Sequence, residues 1–255
     1  MDVHVRGSPA EPFLGAGDLF ATEFALERPV TVRVTDDPGE RTRVSHDDES
    51  HLLTISRQTA TSAMARELAL HEFAHMHRYE RDHPSHTQST EEAIFLALAG
   101  HSVERRTLTH CYQIANHMKD IYADDVWIEV APADKLVAFL ESQLAAAVAD
   151  SPREADTDGR STWRRLTPAA DPDITAVNAA FALALVERHG LVGDGHRIYD
   201  LAHAAADDAP HVGLETFKRR FRTLALDPDA SEYRKALVDA TRAYATATSG
   251  DRAAD

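Results

Sequence analysis

The chain has 255 residues, a formal net charge of −15 and 43% hydrophobic residues. Its length and apolar content predict a substantial core, in one large domain or two. The acidity argues against binding to DNA or RNA, because neutralising phosphates requires a basic surface. The longest nearly apolar stretch, residues 174–186, is too short to cross a bilayer of about 30 Å, so we expect no membrane partner.

The balance between the types of charged residue indicates the salt concentration in which the protein works. Only 4 lysines stand against 23 arginines, and 25 of the acidic residues are aspartates. This balance favours a cytoplasm at molar salt, where repulsion between acidic side chains is screened within about 3 Å. The alternative is an ordinary acidic protein from a GC-rich genome. Cys111 is the sole cysteine and we expect no signal peptide, so we predict a halophilic, archaeal, cytoplasmic protein.

Two strands and a long helix are predicted in the first 80 residues. Residues 29–34 alternate and are rich in β-branched side chains, and residues 51–56 form a second run of this kind. The second strand leads into residues 63–79, which contain no Gly or Pro and are dominated by good helix formers.

The predicted helix contains the most informative segment of the chain, His-Glu-Phe-Ala-His at residues 71–75. Histidines four residues apart on a helix point in the same direction, so His71 and His75 can bind one metal ion. Glu72 is rotated away from both, which suits a general base beside the metal. Met64 and Leu68 precede the histidines at helical spacing and predict that they continue a core-facing stripe. This pattern is typical of zinc hydrolases that cleave peptide bonds.

A catalytic zinc site needs a third protein ligand and one open position. A third histidine six residues after His75 is excluded, because residue 81 is an arginine. Three acidic candidates follow along the chain, namely Asp120, Glu104 and Glu92. The residue types alone leave all three open.

The motif at residues 71–75, followed by Asp120-Ile-Tyr-Ala-Asp124, resembles the zincin metallopeptidases, especially the gluzincins. In their second helix, one acid binds zinc and the acid four residues later steadies a ligand histidine. The resemblance implies that Asp120 is the third ligand and that Asp124 is the partner of His71 or His75. Asp stands where gluzincins have Glu, as in the aspzincins, and this departure keeps Glu104, and then Glu92, as alternative ligands.

The resemblance extends over about residues 50–130 and is greatest with small, uncharacterised halophilic archaeal members of the superfamily. It implies that residues 51–56, or the strand paired with them, bind an extended substrate by strand addition. Hydrolysis by a metal-activated water would also use a Tyr or His that stabilises the oxyanion of the reaction. The candidates for this role are Tyr79, His83, His86 and Tyr122.

The rest of the chain is predicted to be helical apart from a polar, turn-rich linker at residues 151–159. We therefore predict an α+β, predominantly helical fold with a zincin-like metal helix and a few N-terminal strands. A metallopeptidase domain is expected at residues 1–150 and a helical region at residues 151–255. The further predicted helices are residues 90–106, 109–123, 133–150, 174–189, 197–206, 213–226 and 231–248.

These patterns support three hypotheses of function. The first is zinc-dependent hydrolysis of a peptide or protein substrate, with Zn²⁺ on His71, His75 and Asp120 and with Glu72 as general base. The second is a zincin-fold binding or regulatory protein with a structural or vestigial metal, in which a further histidine closes the site. The third is a helical interaction protein without a metal.

Overall fold

The computed structural model describes residues 1–100, 102–150 and 171–250, so the predicted linker lies outside the described residues. The fold is α+β and mainly helical, with one small sheet, as predicted. Contacts group the chain into two compact units, one of residues 1–87 and 119–132, the other of residues 88–118 and the described part from 133 onward. Each unit combines two segments of chain. This grouping differs from the expected split at residue 150, and that split stays a prediction.

The first unit contains a four-stranded mixed sheet in the order β1-β2-β4-β3. Its strands are β1 (Val3–Arg6), β2 (Val30–Thr35), β3 (Arg43–His46) and β4 (His51–Ser56). The first three in spatial order are parallel, and β3 is antiparallel to β4. The two predicted strands are confirmed as β2 and β4. The four-residue strands β1 and β3 are additional.

The helices of the first unit surround the metal motif. They are α1 (Glu11–Phe20), α2 (Arg57–Ala60), α3 (Ala65–Glu80), α4 (Pro84–Thr87) and the second half of α6 (Arg105–Val130). Helix α1 packs on α3, and the rings of Phe20 and Phe73 meet edge to face at 6.1 Å. After α3 the backbone reverses at Asp82, whose φ is +52°, and this turn brings α4 back against α3.

Helix α3 has one face in the core and another face at the edge of the core. Ala69, Phe73 and Met76 are fully buried. His71 and His75, together with Met64 and Leu68 before them, are only half-buried. The expectation that the histidines continue a core-facing stripe is therefore wrong. They lie at the edge of the core, because the smaller and aromatic side chains of the other face fill it.

The second unit is helical in its described part. Its helices are α5 (Thr90–Leu98), the first half of α6, α7 (Ala133–Asp150), α8 (Pro172–Arg188), α9 (Arg197–Ala206), α10 (Leu214–Arg222) and α11 (Ala230–Gly250). Helix α8 is buried on nearly all sides and packs on α7, α9 and α10. The predicted helix at residues 90–106 is too long, because α5 ends at Leu98 and Gly100 adopts a φ of +81°. No described helix is long and apolar enough to cross a membrane.

Candidate metal centre

Three side chains of the first unit converge on one point: His71 and His75 from α3, and Asp120 from α6. The two Nε2 atoms are 3.0 Å apart. Asp120 Oδ1 lies 3.4 Å from Nε2 of His75 and 3.8 Å from Nε2 of His71. All three side chains are half-buried, so the point between them is accessible from solvent.

These separations are suitable for a tetrahedral zinc ion. Zinc–ligand bonds of about 2.0–2.1 Å at the tetrahedral angle place ligand atoms about 3.3 Å apart. The three observed separations lie between 3.0 and 3.8 Å. Two imidazoles and one carboxylate are also a ligand set that catalytic zinc uses, with the fourth position open.

Asp124 fixes the orientation of His71. It follows Asp120 by one turn of α6, its side chain is buried, and its Oδ1 lies 2.8 Å from Nδ1 of His71. A carboxylate only accepts hydrogen bonds, so Nδ1 of His71 carries the proton. The lone pair of Nε2 then points at the cluster, as a metal ligand requires.

A chain of hydrogen bonds behind His75 fixes the second ligand. His75 Nδ1 lies 2.7 Å from Nε2 of His86, and His86 Nδ1 lies 2.7 Å from Oγ of Ser85. The Ser85 hydroxyl lies 2.7 Å from Nδ1 of His83. The turn after α3 and the short helix α4 thus bring three further side chains against the back of one ligand.

The donor and acceptor in each hydrogen bond of this chain can be assigned by starting from His83, the residue farthest from the cluster. The backbone N–H of Ser85 donates to His83 Nδ1 at 3.3 Å, so that nitrogen is an acceptor. The Ser85 hydroxyl therefore donates to His83 and accepts from Nδ1 of His86. Burial and the nearby positive groups hold the pKa of His86 well below its ordinary value, so this ring is neutral. Nε2 of His86 then accepts from Nδ1–H of His75, so Nε2 is the nitrogen of His75 that faces the cluster.

Two imidazole lone pairs and a carboxylate oxygen therefore face one point, an arrangement that needs a cation between them. Without a metal, a proton supplies that charge. Burial lowers the pKa of His71, but the charge and hydrogen bond of Asp124, with the charges of Asp120 and Glu72, outweigh burial and raise the pKa to about 10. A metal ion would displace this proton.

Glu72 lies beside the cluster, and its charge contributes to the raised pKa of His71. Its side chain is half-buried. Among residues 1–100, 102–150 and 171–250, none forms a hydrogen bond or ion pair with its carboxylate. Glu72 is therefore available to exchange a proton with a molecule in the site.

Among the described residues, the group of potential metal ligands with His71 and His75 contains neither alternative third ligand. Glu104 is exposed just before α6, and Glu92 is exposed in the first turn of α5. Both belong to the second unit, whereas the two histidines belong to the first. Asp120 is the sequence-predicted ligand that the structure brings to the histidines, and Asp124 is the partner of His71 rather than of His75.

Each of the four candidates for oxyanion stabilisation is buried or in contact with another side chain. His86 and His83 belong to the chain behind His75, so His86 contacts the far nitrogen of that ligand and is not positioned as a fourth ligand. Tyr122 is fully buried. Tyr79 stacks on the ring of His46. The partnership of His86 with His75 was missed in the sequence, although the close His-Pro-Ser-His spacing after α3 was its signal.

Strand pairing distinguishes the two candidate substrate strands, β4 and β3. Strand β4 pairs with β2 along residues 51–56 and with β3 along residues 51–54, so only its last two residues lack a strand partner on the β3 side. The expectation that the strand of residues 51–56 binds substrate directly is therefore wrong for residues 51–54. Strand β3 lies at the end of the sheet, and the described residues place no strand on its outer side.

A second group with potential metal ligands lies in the second unit, formed by His110, Asp171 and Asp173. Arg106 pairs with both carboxylates of this group, through hydrogen bonds of 2.7 and 2.6 Å to Asp171 and a nitrogen 3.2 Å from Asp173. Burial raises the pKa of Asp171, but the hydrogen bonds from Arg106 and His110 outweigh it and lower the pKa. Because a guanidinium already supplies the cation, this group is a structural ion-pair network at the start of α8.

Cys111 and the basic segment of α10 have structural surroundings. The Cys111 thiol is buried, and burial raises its pKa to about 12, which makes it a poor nucleophile.

In α10, Lys218 pairs with Glu187 and Glu215, and Arg222 pairs with Glu187. Lys218 and Arg222 therefore form ion pairs within the second unit.

The chain belongs to a protein family of unknown function, DUF5781, whose model matches residues 1–246. No curated protein and no solved structure shows a significant match to the chain. Membership of this family assigns no activity, so the function has to be argued from the geometry of the site.

Proposed function

We propose that the chain is a zinc-dependent peptidase with its metal on His71, His75 and Asp120 and with Glu72 as general base. The observation that carries the proposal is the convergence of two oriented imidazole nitrogens and a carboxylate beside a glutamate that has no partner among the described residues. A bound zinc ion would supply Lewis acidity, which lowers the pKa of water and polarises a carbonyl group.

The residues of the chain divide the remaining work. Glu72 accepts a proton from the attacking water and passes it to the leaving amine. Asp124 and His86 keep the ligand imidazoles in the required tautomer and orientation, which supports metal affinity. The outer edge of β3 offers backbone groups to an extended peptide, and this edge supports a peptide as the substrate.

The placement of His86 favours this function over a closed structural metal site. A structural site needs four protein ligands. The described residues supply three that converge, and the nearest further histidine contacts the back of His75. The open fourth position is what hydrolysis requires.

Glu72→Gln tests the proposal. We expect the variant to keep one zinc per chain and to lose hydrolysis by a factor of about 10²–10⁴, because the proton acceptor is removed while the ligands remain. The assay is cleavage of a quenched-fluorescent octapeptide library at molar salt. Glu129→Gln, an exposed change on α6, is the matched control.

Two results would contradict the proposal. Undiminished turnover by Glu72→Gln would exclude Glu72 as the base. A zinc-loaded wild type that cleaves no library member would exclude the peptidase and leave the binding or regulatory protein as the function.

A further inference from the structure

The chain of hydrogen bonds behind His75 is anchored at His83. The His83 N–H donates to the carbonyl of Arg78 near the end of α3 at 3.0 Å, and the His83 carbonyl accepts from the N–H of His86 at 2.9 Å. The buried His83 ring also packs on the ring of Tyr122, which is fully buried, with centroids 4.6 Å apart. Both the backbone and the ring of His83 are therefore held in place.

The fixed position of His83 gives the chain of hydrogen bonds one direction. The backbone N–H of Ser85 can only donate, so Nδ1 of His83, 3.3 Å away, carries no proton. Oγ of Ser85 lies 2.7 Å from that nitrogen and 2.7 Å from Nδ1 of His86, and atoms this close share one proton between them. The hydroxyl supplies the proton toward His83, so the proton of the other contact belongs to Nδ1 of His86. This assignment starts from a backbone amide and does not depend on the charge of His75.

Zinc would impose a direction on the same chain from the opposite end. A histidine that binds zinc through Nε2 is a neutral imidazole and keeps its proton on Nδ1. With zinc on His75, Nδ1–H of His75 therefore donates to Nε2 of His86, 2.7 Å away. His86 must then hold its single proton on Nδ1, and this is the tautomer that Ser85 already requires. The opposite tautomer of His86 would place two protons in the contact between the two rings.

We propose that Ser85 is a positioning residue for the metal centre, whose hydroxyl presets His86 in the tautomer that accepts from a zinc-bound His75. The inference rests on the proposed zinc ligands and goes beyond them, because Ser85 lies one hydrogen bond beyond His86. Ser85 is fully buried, so these hydrogen bonds are protected from bulk water. A metal-free protein with His86 already in this tautomer binds zinc without rearranging them.

Two pairs of variants test this role in the full chain. Ser85→Ala removes the hydroxyl, and Thr87→Val, the matched control, removes an exposed hydroxyl from the same short helix. His83→Leu keeps the serine but removes the acceptor of its proton, so the hydroxyl is free to donate to His86. His83→Asn is its matched partner, because Oδ1 of asparagine can accept at the position of Nδ1.

Three measurements are made on each variant. Competition with a chromophoric chelator gives the zinc affinity. Long-range proton–nitrogen correlation spectra of the metal-free protein, with isotope-labelled histidines, show which nitrogen of His86 holds the proton. Urea unfolding of the metal-free protein reports any loss of stability separately.

We expect the proton of His86 to lie on Nδ1 in the metal-free wild type, in Thr87→Val and in His83→Asn. Ser85→Ala and His83→Leu should shift this proton toward Nε2 and weaken zinc binding about tenfold, the lower end of the range for outer partners of a ligand histidine. A loss of packing alone would lower the stability without moving the proton.

Equal zinc affinity of the wild type and Ser85→Ala would overturn the role of Ser85 and leave the metal centre in place. A metal-free wild type with the His86 proton on Nε2 would do the same. Equal losses of affinity in His83→Asn and His83→Leu, with the His86 proton unmoved, would also overturn this role, because packing would then explain them. A wild type that binds no zinc would overturn the metal centre and this inference together.

Discussion

The charge state of His71 links the candidate centre to pH. Its pKa is raised from an ordinary 6.5 to about 10, because Asp124, Asp120 and Glu72 together outweigh the opposing effect of burial. A raised pKa in the folded state stabilises the fold fully below the ordinary value, and the stabilisation is lost as the pH rises through the folded value. The chelated protein should therefore lose stability between about pH 6.5 and pH 10.

Zinc binding should show the opposite trend over the same range. Because the metal displaces one proton from His71, zinc affinity should rise about tenfold per pH unit up to about pH 10. Competition with a chromophoric chelator measures the affinity, and urea unfolding of the chelated protein measures the stability. Asp124→Asn should flatten both profiles and lower the affinity about 10- to 100-fold, with Asp125→Asn as control. Profiles that are flat in the wild type would contradict the assigned proton.

At the scale of elements, the long helices and the buried strands could be predicted from sequence patterns. Strand β4 and the helices α7 and α9 have the predicted bounds, because each presents a clear apolar pattern between breakers. Strands β1 and β3 were missed. Each has only four residues, half of them exposed, so their pairing depends on β2 and β4 rather than on their own propensity.

The candidate site was predictable where one helix carried the information. His71, Glu72 and His75 share a continuous helix, so their spacing fixes their relative directions. The chain of hydrogen bonds from His75 through His86 to His83 depends on the turn at Asp82. Asp82 has a positive φ, and an aspartate in the sequence does not by itself predict this conformation. A contact of 2.9 Å between Oε1 of Glu80 and Nε2 of His51 joins α3 to β4, and the sequence contains no pattern that links these two residues.

The ion-pair network at the start of α8 gives an independent prediction for the second unit. Arg106→Ala removes the guanidinium that pairs with Asp171 and Asp173. We expect the free energy of unfolding to fall by about 1–3 kcal/mol while the zinc content stays unchanged. Urea unfolding with metal analysis measures both, and the exposed neighbour Arg105 provides the control Arg105→Ala. Loss of zinc from Arg106→Ala would contradict the structural role of the network.

At the scale of the whole molecule, all groups of the candidate centre belong to one compact unit. This unit combines residues 1–87 with residues 119–132, so the segment carrying Asp120 and Asp124 returns to it from distant sequence. The intervening residues 88–118 belong to the other unit. Asp120 can therefore reach the two histidines only when α6 is correctly folded.

The charge of the molecule sets the conditions for measuring it. A net charge of −15 with few lysines predicts that the folded state is favoured by screening at high salt. Metal binding should accordingly be measured on the full chain at molar salt. Chelators must be omitted during purification, since they would remove the ion.

The metal centre is tested by the zinc content of the wild type and of His75→Ala, measured by plasma mass spectrometry under these conditions. We expect one zinc per chain in the wild type and none in the variant, with His77→Ala, on the same helix, retaining the metal. Absence of zinc from the wild type, or an equal content in His75→Ala, would contradict the metal centre.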